Sequence, residues 1–69
     1  MAIVRVELGR RSQEQRDAII KGITEVMVAN GALSEGTQVI LYELPMDVWG
    51  KGGKTFTQRA AEQGVTLPH

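Results

Sequence analysis

The sequence contains no cysteine, and its one histidine is the final residue, His69. Disulfides are therefore excluded, and with them zinc sites built on thiolates. No imidazole is available at a fixed interior place. Charge of either sign is also lacking in excess: eight Lys and Arg balance eight Asp and Glu, for a net charge of 0. A nucleic-acid-binding domain needs a basic surplus, so no nucleic acid is expected as a partner. No run of about 18 apolar residues is present to span a membrane. No charged stretch followed by an apolar one opens the chain as a signal peptide would. A cytoplasmic protein with no membrane partner is the expectation.

Small size sets the next constraint. A chain of 69 residues makes one small domain, expected to span 1–69. Cores of that size supply only about 3–5 kcal/mol, and small folds lean on disulfides, metals or partner subunits. Here association is the remaining means. An apolar fraction of 42% is high enough for a packed chain rather than a disordered one.

What is present reads as a β-α-β order. In residues 2–8, Val4, Val6 and Leu8 alternate with Ile3, Arg5 and Glu7, the period of two of a half-buried strand. Gly9 interrupts it. Ser12 and Gln15 form a capping box, and Ile19, Ile20, Ile23, Val26 and Met27 repeat at helical spacing. The spacing predicts a helix over 13–30, with Gly31 after its end and an Asp17–Lys21 pair on its outer side. A second strand is expected over 38–44, nearly all apolar and so covered on both faces. Pro45 ends it. Strand, helix and strand predict a parallel pair with a right-handed crossover. Gly50-Lys51-Gly52-Gly53 predicts a tight turn joining a hairpin over about 48–57, and 58–69 forms a tail with a short helix stopped by Gly64. One helix covers one sheet face only, so two copies are expected to pair into four strands, with stacked dimers covering the other face.

The strand from residue 2, the helix opening Arg11-Ser12-Gln13-Glu14-Gln15, and Glu43 through Trp49-Gly50-Lys51-Gly52-Gly53 together resemble the 4-oxalocrotonate tautomerase family. The resemblance covers roughly residues 2–57. It implies short βαβ subunits assembled as hexamers, without a metal or cofactor. The activity it implies is keto–enol proton transfer on unsaturated 2-oxo acids. An amino-terminal proline is the base, arginines hold the carboxylate and polarise the carbonyl, and an aromatic residue walls the pocket. On this sequence the proline position is Ala2, the helix-start arginine is Arg11, the second arginine position is Gln38, and the aromatic position is Trp49. Two of the four have changed.

Each position carries its own chemistry. A free α-amino group titrates at about 7.7–8.0, below lysine, and a general base works best near the operating pH. A primary amine on Ala2 has that property once Met1 is removed; where Met1 is retained, the amine lies one residue further out. The alternative is that residue 2 merely starts a strand. Arg10 and Arg11 precede a helix start, where guanidinium groups and free amides suit a carboxylate; two solvated loop arginines are the alternative. Gln38 donates a hydrogen bond without charge, or is an ordinary strand residue. Trp49 is a pocket wall or a packing residue. Two functions stay open. One is a cofactor-free isomerase of a small oxoacid or enol. The other is a non-catalytic subunit of a homo- or hetero-oligomer of this fold.

Overall fold

The helix start read at Ser12 is present in the computed structural model, which describes residues 1–65. Ser12 Oγ accepts from the Gln15 amide at 3.1 Å, and Gln15 Oε1 accepts from the Ser12 amide at 3.0 Å. The elements run β1 (Ala2–Leu8), α1 (Gln13–Ala29), a 3-10 turn (Ser34–Gly36), β2 (Thr37–Glu43), a second 3-10 turn (Met46–Val48), β3 (Gly50–Lys51), β4 (Lys54–Thr55) and α2 (Phe56–Gln63). The chain divides into two compact units. One holds Met1–Glu7 and Arg11–Tyr42; the other holds Leu8–Arg10 and the residues from Glu43 on.

In the first unit β1 and β2 form a parallel pair joined by α1. The fold is α+β, a βαβ unit with a hairpin after it. Both strands alternate between half-buried and exposed residues. The half-buried set is Ala2, Val4 and Val6 with Thr37, Val39 and Leu41; on α1 it includes Ile19, Ile23 and Met27. These are the apolar faces that strand and helix periodicity mark, and α1 is the element available to cover that side. It ends as expected. The Gly31 and Ala32 amides donate to Val28 and Met27 carbonyls at 3.2 and 3.0 Å. Gly31 takes a φ of 104°, the positive value that favours glycine after a helix. Asp17, expected to pair with Lys21, instead accepts from Gln13 Nε2 at 2.8 Å.

The opposite sheet face carries Ile3, Arg5 and Glu7 beside Gln38, Ile40 and Tyr42. Ile3, Ile40 and Tyr42 are 46%, 36% and 43% exposed. β2 was expected to be covered on both faces; in the single chain it is covered on one. Among the described residues only Met46 and Ala60 are buried, at 8% and 7% exposure.

Those two residues belong to the second unit. There the hairpin is present but shorter than 48–57. Gly50 pairs with Thr55 and Lys51 with Lys54, across Gly52 and Gly53 with φ of 63° and 84°, as a two-residue hairpin turn requires. Val48 lies in a 3-10 turn, and Phe56 and Thr57 open α2 instead of extending a strand. The cause is a second capping box. Thr55 Oγ1 accepts from the Gln58 amide at 3.1 Å, and Gln58 Oε1 accepts from the Thr55 amide at 2.9 Å. Thr57 Oγ1 also donates to Asp47, and Lys54 pairs with Glu62. Gly64, with φ of 71°, stops α2 as read from the sequence. The part of the tail after Val65, including His69, lies outside the described residues.

Candidate active site

The two strands run in the same direction, so the start of β1 lies beside the start of β2. The distances agree: a Cβ on Gly36 would sit 3.8 Å from Met1 Cα. Met1 itself is almost fully exposed. Ala2 follows on the half-buried side, and Gln38 is exposed near the start of β2. The first unit therefore brings Met1, Ala2 and Gln38 to one end of its sheet. Apart from the chain's own amino group, that end is poor in positive charge. The last turn of α1 has no basic residue, and the neighbouring 3-10 turn carries the acidic Glu35. Arg5 is the nearest strand cation, three residues along β1 on the exposed face.

Arg11 is elsewhere. β1 has seven residues, which at about 3.3 Å each carry the chain about 20 Å from Ala2. α1 has 17 residues and returns the chain by about 25 Å to the start of β2. Arg11 immediately precedes that helix. It stands at the far end of the unit from Met1, Ala2 and Gln38. It is half-buried beside the free amides of the helix start, where positive potential suits an anion. One chain therefore holds the amine and this guanidinium at opposite ends.

The other two candidates lie in the second unit. Arg10 lines a cleft of about 200 Å³ with Glu43, Leu44 and Pro45. The Leu44 amide donates to the Leu8 carbonyl at 2.9 Å. Trp49 is half-buried and packs edge-on against Phe56, with ring centroids 5.2 Å apart and planes at 82°. Its carbonyl accepts from the Phe56 amide at 2.8 Å. The ring thus has a packing role in its own unit, the alternative that the sequence left open. Phe56 was overlooked as its partner. The signal was the Thr55-x-x-Gln58 box, which makes Phe56 the first helical residue rather than a strand residue.

A family model described as "Tautomerase enzyme" matches residues 3–59. Among solved structures, the chain is similar to TomN, a 4-oxalocrotonate tautomerase homologue in the tomaymycin biosynthetic pathway. The two share 30% identity, with a TM-score of 0.80 over 86% of this chain and 94% of that one. It is similar to a second 4-oxalocrotonate tautomerase homologue at 32% identity, with a TM-score of 0.75 over 83% and 94% of the two chains. A 4-oxalocrotonate tautomerase isozyme from Methylibium petroleiphilum shares the fold, with a TM-score of 0.78, 24% identity, and 90% and 98% coverage. No curated protein matches the sequence at a significant level.

Proposed function

The chain belongs to the tautomerase family, and from that premise we propose that it is an isomerase of a small unsaturated 2-oxo acid or its enol, working without a cofactor. The base is the α-amine of Ala2 after Met1 is removed. It takes a proton from the carbon beside the carbonyl. The electron pair moves to oxygen as an enolate, and the ammonium returns the proton to oxygen or to the distal carbon. Gln38, near the same end, donates an N–H to the enolate oxygen. Being neutral, it stabilises that charge less than a guanidinium would, since charged hydrogen bonds are roughly twice as strong. Arg11 of a second copy holds the carboxylate, and Trp49 supplies apolar wall.

The observation that carries this reading is the placement of residue 1 beside Gly36 at the sheet end opposite Arg11. A site needing both an amine and a cation is built by two copies. The open sheet face with Ile3, Ile40 and Tyr42 supports association, and a hexamer is the assembly proposed. A cytoplasmic setting belongs to the same reading; among the described residues no helix is long and apolar enough to cross a membrane.

The test is a steady-state assay on a 2-oxo acid and its enol, using protein with and without Met1, each terminus verified by mass. Removal of Met1 should raise kcat/KM. Equal activity of the two forms would exclude the terminal amine as the base. Ala2, at the position of the family's proline, favours a second reading, a non-catalytic subunit of an oligomer with other chains of this fold. That reading gains if the Met1-free protein is inactive and Ala2→Pro does not restore turnover.

A further inference from the structure

In the second unit, the hairpin and one side of α2 enclose a cleft of about 190 Å³ lined by Lys51, Phe56, Arg59, Ala60, Gln63 and Val65. Phe56, Arg59, Ala60 and Gln63 follow the three- and four-residue spacing of one helix face. Lys51 stands opposite, the last residue of β3 before the Gly52-Gly53 turn. The floor is apolar and fixed: Ala60 is buried, and the Phe56 ring is held by Trp49.

The rim is cationic. Arg59 Nη1 donates to the Lys51 carbonyl at 3.4 Å, which steadies the guanidinium and uses one of its five N–H donors. Lys54 on the same hairpin is neutralised by Glu62. Lys51 and Arg59 have no carboxylate partner among the described residues. In a chain of zero net charge, two cations without a carboxylate partner among the described residues, above an aromatic floor, are a local feature with a definite preference. Liquid water takes about 30 Å³ per molecule, so the space equals about six waters. A six-membered ring bearing one carboxylate fits; a nucleotide does not.

We propose that this cleft binds a small aryl carboxylate. The carboxylate lies between Lys51 and Arg59, the ring rests on Phe56 and Ala60, and the Gln63 amide offers a further donor. Inorganic phosphate meets the cations but leaves the floor wet, and a neutral ring covers the floor but leaves the cations unmet. Both bind more weakly.

The test is an amide-resolved NMR titration of the intact protein with benzoate, with phosphate and benzyl alcohol as separate arms. Benzoate should give saturating shifts at Lys51, Phe56, Arg59 and Gln63 with a Kd of about 1 mM or tighter. Lys51→Gln and Arg59→Gln should each weaken it about tenfold, the scale of a lost charged hydrogen bond. Arg59→Gln also removes the bond to the hairpin; Lys51→Gln removes no side-chain contact seen in the structure and keeps the comparison clean. Non-saturating shifts, equal shifts with phosphate or benzyl alcohol, or binding unchanged by Lys51→Gln would overturn the proposal. So would shifts confined to the amides around Arg11.

Discussion

Replacing Ile40 tests whether the open sheet face is an interface. Burying a whole Ile or similar side chain stabilises by about 1.5–3 kcal/mol. Ile40 retains 36% of its exposure in the single chain, Tyr42 43% and Ile3 46%. Covering what remains is worth about 0.5–1 kcal/mol for Ile40 alone, and about 2–4 kcal/mol for the three together in each copy. Two copies facing one another double this to about 4–8 kcal/mol, an upper bound because unfolded chains already bury some surface. Ile40→Ala then loses about 1–2 kcal/mol per pair of copies, a five- to thirtyfold weaker association. Ile40→Asp adds an unpaired carboxylate at the same place, at a cost of about 3–5 kcal/mol. Since the chain buries only Met46 and Ala60 among its described residues, the dissociated copies should lose structure. Sedimentation velocity across a concentration series, with circular dichroism on the same samples, reads both effects. An Ile40→Asp protein that stays assembled with unchanged melting would show that this face is free in solution. A folded wild-type monomer at micromolar concentration would remove the premise altogether.

Other expectations concern single elements. Ile23 is half-buried on α1, so Ile23→Ala should cost about 1–2 kcal/mol in urea unfolding, less than the 2–5 of a fully buried site; a change under about 0.5 kcal/mol would put it on the surface. Thr55→Ala removes the α2 cap and should cost about 1 kcal/mol; no measurable change would mean that packing alone sets the helix start. Arg11→Ala should raise KM ten- to a hundredfold, the scale of a lost charged hydrogen bond of about 1.5–3 kcal/mol. An equal fall in kcat would show that Arg11 also acts on the transition state.

The βαβ unit was legible because its signals are local and mutually consistent. Alternation in 2–8, the Ser12–Gln15 box and Gly31 each mark an element or its boundary, and the structure places β1, α1 and the α1 end within a residue of them. The region after Pro45 was less legible. Phe56 and Thr57 have β propensity, which suggested a longer hairpin, but the Thr55–Gln58 box supplies two specific hydrogen bonds for a helix start. Local hydrogen bonding overrode propensity there, and the same residue pattern opens α1 at Ser12. The open face illustrates a different limit. A run as apolar as Val39-Ile40-Leu41 says that both sides want cover, but not which molecule provides it. The candidate site was legible as residue types only. That Arg11 stands at the other end of the unit from Ala2 follows from the parallel crossover, and the proposed site accordingly divides these candidates between copies.

That division can be measured directly. One protein carries Arg11→Ala with a free amine at Ala2; the other keeps Arg11 but has its α-amine acetylated, which removes the base. With substrate well below KM, the acetylated protein alone should be inactive and the Arg11→Ala protein alone should keep about a tenth of wild-type activity or less. Unfolded together in equal amounts and refolded, they should reassemble with about a quarter of sites joining an intact amine to an intact Arg11 from another copy. Recovery of activity near that fraction of wild type is the predicted result. A mixture no more active than its components, with mixed assembly verified by native mass spectrometry, would contradict an active site shared between copies.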